Sequence, residues 1–327
     1  MLRAPALPRN ETLTLQPARP LFHARPRPRS AGFAASALVA LALLADVAHP
    51  AAAAAPAAGA DDPVAAALAA PRPVAAGDSA WLEELTWMEI RDRIAAGTDT
   101  VIIPTGGIEE NGPYLATGKH NLILEATCPA IAAALGNALC APIVKFVPEG
   151  RIEPPEGAMR FPGTISLAPA TYEALLVDIA RSLKQAGFRH IVLIGDSGGN
   201  QAGMAAVAGR LGDAWAGSGT AIHFVREYYD PGWSATEDYT RETLGVQETR
   251  HDGYHDDIWV TAMMMVTDPE QVRFDQRVEA GLASINGVPL QPLDNTVALG
   301  RAMIDFRARF TADAIRRAIR GTSADHD

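Results

Sequence analysis

Three segments of the 327-residue chain hold most of its chemically versatile side chains. The first covers residues 104–121 and the second residues 195–201, and both combine glycines with polar groups. The third, residues 250–257, places two imidazoles and three carboxylates within eight residues. Nitrogen and oxygen donors at this density suit Zn, Mn or Fe. A solvated loop explains the third segment equally well when it is considered alone.

Apolar runs typical of buried strands come directly before the first two segments, at 100–104 and 190–194. Extended segments are also predicted at 142–147 and 221–225, and helices at 86–96, 121–135, 171–186, 200–215, 259–266 and 295–319. Strands that alternate with such helices indicate an α/β fold, a three-layer α/β/α arrangement with a mainly parallel sheet. Because open parallel sheets bind ligands beyond the carboxyl ends of their strands, we expect the chemistry to lie in the first two segments.

The composition limits the class of protein. The chain is 48% hydrophobic and 20% charged, which allows a sizeable core and excludes a disordered or fibrous protein. Its net charge of −10 disfavours nucleic acid and anionic lipid as partners. Cys128 and Cys140 lack the spacing of a zinc site, and we expect two buried thiols, with a single disulfide as the alternative.

The first 49 residues have the organisation of an export signal. Six arginines and one acid occupy residues 1–30, an apolar run too short for a typical membrane span follows at 31–45, and small residues come next. We therefore predict a signal peptide or export segment at 1–49, an Ala/Pro-rich linker at 50–78 and the globular domain at 79–322. The protein would be periplasmic or secreted, with no stable membrane association once the signal is cleaved. An uncleaved anchor and a start codon further downstream are the alternatives.

The first segment resembles the signature of the creatininase family. Its residues Pro104-Thr-Gly-Gly-Ile-Glu-Glu-Asn-Gly-Pro-Tyr-Leu115 follow the family pattern P-x-G-S-x-E-Q-H-G-P-H-L. Residues 161–167 (FPGTISL), 195–200 (GDSGGN) and 251–256 (HDGYHD) are similar to three further family segments, in the same order. The resemblance implies a creatininase-like fold, hydrolysis of a non-peptide C–N bond of an amide or cyclic amide in a small-molecule substrate, and a homo-oligomer.

The resemblance also implies a metal site, because family members hold a pair of divalent ions. The family's five ligand positions correspond to Glu109, Asn111, His120, Ser197 and Asp256. Glu109 keeps the family's residue type, whereas His120 stands where the family has a bridging aspartate. A neutral imidazole offers one lone pair, so His120 favours a single Zn, Mn or Fe ion. The expected metal ligands are Glu109, His120 and Asp256, with His255 beside or instead of Asp256.

Two other functions stay open. The sequence Gly195-Asp-Ser-Gly-Gly199 matches the GxSxG pattern after a strand, which makes Ser197 a candidate nucleophile of a serine hydrolase. The changed ligands also fit a small-molecule binding protein that has lost catalysis. The candidate catalytic residues are Glu109, His120, Ser197 and Asp256, and the candidate substrate-binding residues are Asn111, Tyr114, Arg160 and Asp196. Lys119 is expected to be solvated.

Overall fold

The computed structural model describes residues 62–251 and 253–324, with the backbone alone for 322–324. The predicted export segment at 1–49 and linker residues 50–61 lie outside this range. The described part of the predicted linker contains a helix, α1 (Pro63–Ala69), whose first turn is capped by Asp62. Arg91 donates to the carbonyl groups of Leu68 and Ala70, so the end of this helix is held by the domain that follows.

Eight further helices follow in the described residues: α2 Trp87–Ala95, α3 Lys119–Leu135, α4 Pro169–Ala186, α5 Gln201–Trp215, α6 Gly232–Glu242, α7 Ile258–Thr267, α8 Phe274–Glu279 and α9 Leu293–Ala324. None of these described helices is both long and apolar enough to cross a membrane. A capping box opens α2, since the Thr86 hydroxyl accepts from the Glu89 amide and the Glu89 carboxylate accepts from the Thr86 amide.

Four parallel strands form the central sheet in the order β2-β1-β3-β4: β1 Thr100–Thr105, β2 Ala138–Cys140, β3 His190–Gly195 and β4 Ala221–Phe224. The described residues also contain an antiparallel hairpin of β5 (Ser284–Ile285) and β6 (Val288–Pro289). β1 and β3 pair along their whole length, from Thr100 opposite His190 to Thr105 opposite Gly195. Both strands therefore end at the same edge of the sheet, which brings the segments that follow them together.

The central sheet is apolar on both faces because its strand residues alternate between two cores. Val101, Ile103, Ile191 and Leu193 pack with residues of α4 and α5. Ile102, Val192 and Ile194 pack with residues of α3 and α9. The predicted three-layer α/β/α fold is confirmed.

A third apolar core surrounds α7, whose residues from Ile258 to Met265 are all buried. The three methionines in this run, Met263, Met264 and Met265, fill space between α7 and neighbouring elements. They are core residues, as their apolar context predicts.

Several elements differ from the sequence-based expectation. Residues 142–147 do not form a strand, and only Val144 and Val147 make single bridges. Strand β2 was not predicted, because its three residues are too few to show a periodic pattern. Helix α6 was not predicted, because it begins at Gly232 directly after Pro231, a pair that usually indicates a turn.

Cys128 of α3 and Cys140 of β2 form a disulfide, with Cα atoms 6.3 Å apart. The expectation of two thiols was therefore wrong, although both residues are fully buried. α3 ends at Gly136 in the left-handed conformation, which turns the chain back into β2 beside the helix. The bond thus ties the helix that carries His120 to the edge of the sheet.

Removing this disulfide is expected to lower the free energy of unfolding by about 3 kcal/mol, because the bond closes a loop of 12 residues in the unfolded chain. The variant is Cys128→Ala combined with Cys140→Ala, and the measurement is urea denaturation followed by circular dichroism. Dithiothreitol should shift the wild-type transition and leave that of the double variant unchanged. An equal shift in both proteins would show that the bond does not stabilise the fold.

Candidate metal centre

Two asparagines hold the loop that follows β1 on a fixed path. Asn121 donates from Nδ2 to the Gly107 carbonyl at 3.0 Å and accepts from the Gly107 amide at 3.3 Å. Asn200, which follows β3, donates to the carbonyl groups of Thr105 and Gly106, both at 2.9 Å. A Cβ atom at Gly106 would collide with the Asn121 side chain, so this contact requires glycine. These bonds fix the two loops, and the side chains they carry, relative to each other.

Three side chains from separate segments converge beyond the strand ends. Glu109 lies in the loop after β1, His120 in the first turn of α3, and Glu149 in the irregular segment between β2 and α4. His120 Nε2 lies 2.8 Å from Glu109 Oε1, and the three residues offer ligand atoms that all lie within 4.8 Å of one another. One nitrogen and two carboxylate oxygens form a donor set that suits Zn, Mn or Fe. The cluster is a candidate metal centre at the predicted edge of the sheet.

Asp196 holds the other side of the His120 ring. Its Oδ2 lies 2.8 Å from His120 Nδ1, and its Oδ1 accepts from Arg307 Nη2 at 2.8 Å. Arg307, on α9, is fully buried and lies 4.0 Å over the Tyr228 ring. A carboxylate that accepts from Nδ1–H fixes the imidazole and leaves Nε2 to bind a cation. Asp196, predicted to bind substrate, is fully buried and supports His120 instead.

Ser197 follows Asp196 and donates to Glu149, with 2.8 Å between Ser197 Oγ and Glu149 Oε2. The other oxygen of Glu149, Oε1, is buried and has no hydrogen-bond partner among the residues that the structure describes. Gly199 allows the two segments to approach, because a Cβ atom there would collide with the carbonyl oxygen of Pro148. Glu149 was missed by the sequence analysis, since it lies in no motif and in no predicted helix or strand that would have aimed it at the site.

Lys119 is completely buried beside this cluster, so the expectation that it is solvated was wrong. Its Nζ lies 3.6 Å from Glu109 Oε1 and 5.5 Å from the centre of the Trp233 ring. Nζ has no hydrogen-bond partner within the described part of the chain. Burial lowers the pKa of Lys119, and the negative charges of Glu109 and Asp196 oppose this shift.

Burial and neighbouring charges perturb every titratable group of the cluster. Burial raises the pKa of Glu149 to about 7, and the negative charge of Glu109 adds to this effect. Burial also opposes ionisation of Glu109, but the hydrogen bond and positive charge of His120 outweigh it and lower the Glu109 pKa to about 2. Burial opposes protonation of His120, yet its hydrogen bonds to Asp196 and Glu109 leave its pKa raised. Perturbed titratable groups concentrated at one place are typical of functional sites.

A cavity of about 270 Å³ opens onto the cluster. Besides the three candidate ligands, its lining includes Ser197, two aromatic side chains, Tyr229 and Trp233, and His255. The volume is close to the lower end of the range for small-molecule pockets. His255 is exposed and adopts a positive φ of 58°. The cavity therefore combines the donor set with aromatic walls suited to a small, flat substrate.

The structure does not bring Asp256 into the donor set. Asp256 is buried, and its carboxylate packs close to Gly112. The charge of Arg277 interacts with Asp256, and the Asp256 carboxylate is not among the ligand atoms that converge with those of Glu109. The loop at 250–257 thus presents His255 to the cavity, while the adjacent Asp256 enters the protein interior.

Three predicted substrate-binding residues also lie outside the cavity lining. The Arg277 guanidinium covers the Tyr114 ring at 4.3 Å, and Arg160 is exposed in a short turn of helix. Asn111 is buried and donates to the Glu109 carbonyl at 2.9 Å. Asn111 therefore shapes the loop that presents Glu109.

Comparison with known proteins accounts for this combination of fold and site. The family model for creatininase, described as creatinine amidohydrolase, matches residues 83–309, most of the chain. The chain belongs to the creatininase family. Creatinine amidohydrolase from Pseudomonas putida is 27% identical over 226 residues, which cover 66% of this chain and 82% of that enzyme. Mycofactocin precursor peptide peptidase from Mycolicibacterium smegmatis is 32% identical over 116 residues, which cover 34% of this chain and 44% of that protein.

A solved structure described as "Creatininase Mn" matches with a TM-score of 0.52 at 23% identity. The match covers 75% of this chain and 99% of that chain, which supports the creatininase fold across the domain. As a creatininase-family member, the chain is an amidohydrolase, an enzyme that acts on C–N bonds. Its cluster of Glu109, His120 and Glu149 has the geometry of a possible metal site.

Proposed function

We propose that this creatininase-family enzyme hydrolyses an amide or cyclic amide C–N bond in a small molecule, using one divalent ion of Zn, Mn or Fe. The ligands would be Glu109, His120 and Glu149. The observation that carries the proposal is the convergence of these three buried or half-buried side chains on one cavity. His255, which lines the same cavity, remains an additional ligand candidate.

Two features of the cluster fit a bound cation. Glu149 Oε1 is buried and accepts no hydrogen bond from the described part of the chain, which is costly for a carboxylate oxygen unless a cation or proton binds it. His120 Nδ1 faces the Asp196 carboxylate, and when it donates there, Nε2 and Glu109 Oε1 present lone pairs to each other at 2.8 Å. Either a proton or a cation must separate such a pair of acceptors.

The chain's own residues prepare the site for hydrolysis. A bound divalent ion would polarise the substrate carbonyl and lower the pKa of a water molecule. Asp196 holds His120 in one tautomer, and the Ser197 hydroxyl occupies Glu149 Oε2, which leaves Oε1 as the ligand atom. Tyr229 and Trp233 provide apolar walls that orient a flat amide and exclude bulk water.

The test is turnover of a panel of small linear and cyclic amides, with creatinine and a dipeptide included. Each substrate is incubated with the purified full chain, with the chelator-treated protein, and with the treated protein resupplied with Zn, Mn or Fe. We expect amide hydrolysis that the chelator abolishes and that one of the resupplied ions restores. Chelator-resistant turnover, or no turnover under any metal condition, contradicts it.

The serine hydrolase alternative makes a different prediction at Ser197. The hydroxyl donates to a carboxylate, and no imidazole in the described residues bonds to it, so the base–nucleophile pair of a serine hydrolase is missing. Ser197→Ala should therefore lower kcat/KM by about tenfold or less, the modest worth of one hydrogen bond. A loss of several orders of magnitude, or labelling of Ser197 by a fluorophosphonate probe, would favour the serine mechanism.

We also propose that the protein is exported and acts in the periplasm or outside the cell. The buried Cys128–Cys140 disulfide supports this, because such bonds persist in oxidising compartments. Amino-terminal sequencing of the protein from its native host should begin between about residues 48 and 56. Recovery of an intact first residue in a cytoplasmic fraction would contradict export. The homo-oligomer implied by the family resemblance is tested by light scattering on the same preparation.

A further inference from the structure

Lys119 contributes a buried ammonium group beside the cluster that forms an ion pair with Glu109 but has no hydrogen-bond partner among the described residues. Its Nζ is fully buried, 3.6 Å from Glu109 Oε1, a separation longer than a hydrogen bond. Lysine is rarely buried so completely unless it is paired, and the charged partner of Lys119 is Glu109. Lys119 and His120 are consecutive in the first turn of α3, so the helix delivers both to Glu109. Arg307, by contrast, is bonded to Asp196 and to the Tyr228 carbonyl.

The net charge of the cluster determines how many divalent ions it can compensate, and the Lys119 ammonium changes that net charge. In the form that binds a metal ion, Glu109, Glu149 and Asp196 are ionised and His120 is neutral, so the cations Lys119 and Arg307 leave the cluster with one negative charge. One divalent ion changes the net charge to one positive, and a second ion would change it to three positive. A buried, uncompensated charge of that size is strongly unfavourable. Without the ammonium, the same residues would carry two negative charges and accept one ion with full compensation.

We propose that Lys119 is a fixed internal cation that weakens metal binding at the Glu109–His120–Glu149 cluster and restricts the cluster to a single divalent ion. This inference rests on the proposed metal-dependent function. Lys119 is a positioning residue, because its side chain contacts Glu109 and the Trp233 ring and does not line the cavity. The ammonium neutralises part of the negative charge of Glu109. That part of the charge is then not available to compensate a second metal ion.

The experiment measures metal binding rather than activity. Chelator-stripped full chain is titrated with Zn²⁺ and with Mn²⁺ by isothermal calorimetry, and the bound metal is counted by elemental analysis. Lys119→Met removes the ammonium and keeps an apolar chain of similar length, and Lys119→Gln serves as a second variant. Lys145→Met is the matched control, because Lys145 is exposed and pairs with Glu125 at 4.0 Å, away from the cavity. Thermal unfolding and circular dichroism verify that every variant is folded.

We expect one equivalent of bound metal per chain in the wild type and in Lys145→Met. In Lys119→Met and Lys119→Gln we expect a Kd for the metal ion at least about tenfold lower than that of the wild type, a second equivalent of bound metal, or both. Unchanged stoichiometry and Kd in both folded Lys119 variants overturn the inference and leave the metal-dependent function standing. No binding in any of the proteins overturns the metal-dependent function and the inference with it. Metal binding by the Lys119 variants alone supports Lys119 as the competing cation and contradicts metal dependence of the wild type.

Discussion

Glu109→Gln and His120→Ala should each lower kcat/KM for a hydrolysed amide by at least about a thousandfold. Both substitutions remove a donor from the candidate metal centre, where His120 Nε2 lies 2.8 Å from Glu109 Oε1. Glu109→Gln keeps the size of the side chain and removes its charge, so the loss reports cation binding rather than packing. Elemental analysis of the same preparations should show less than a tenth of the wild-type metal content.

The matched control for this prediction is Glu110→Gln. Glu110 is adjacent in sequence and half-buried, but it does not line the cavity. We expect its kcat/KM to stay within about threefold of the wild type. If Glu109→Gln keeps both activity and metal, Glu109 is not a ligand and the candidate centre is wrong. If it keeps metal and loses activity, Glu109 acts on the substrate or on water instead.

Arg307→Met should lower the free energy of unfolding by about 3 to 5 kcal/mol. Arg307 is fully buried and donates to Asp196 Oδ1 at 2.8 Å, and Asp196 is itself fully buried. Removing the guanidinium leaves that carboxylate in the interior without its cation and weakens the hold on His120. Urea denaturation gives the change in stability. Arg309→Met, an exposed arginine on the same helix, should change it by less than about 0.5 kcal/mol.

The double variant Arg307→Met with Asp196→Asn separates charge from packing. If the loss arises from the unpaired carboxylate, neutralising Asp196 should restore at least about 1 kcal/mol relative to Arg307→Met alone. Additive losses in the double variant would show that Arg307 stabilises the fold through its packing on Tyr228. In that case the Asp196 charge would be tolerated without its partner.

The sequence was sufficient for the fold and for the location of the site, because both depend on local patterns. The two buried strands β1 and β3 are apolar runs, and parallel pairing obliges the segments after them to meet. Glu109 and His120 follow from that rule together with the family resemblance. The short strand β2 and helix α6 could not be predicted, since three residues show no periodicity and Pro231–Gly232 has the composition of a turn.

The direction of individual side chains was the part that sequence could not give. Asp256 and His255 are neighbours in one loop, and only the backbone path decides that His255 meets the cavity. Glu149 comes from an irregular segment whose path depends on contacts far away in sequence. Lys119 is buried because it shares the first turn of α3 with His120, although lysine alone favours solvent.

The close approach of Gly199 to the Pro148 carbonyl has an evolutionary consequence. Any side chain at position 199 would push away the segment that carries Glu149 and break its bond to Ser197. A metal-ligating side chain could therefore not evolve at position 199 in a protein that still uses Glu149 as a ligand. Among homologues, a carboxylate at 149 that bonds to residue 197 should therefore occur only together with glycine at 199.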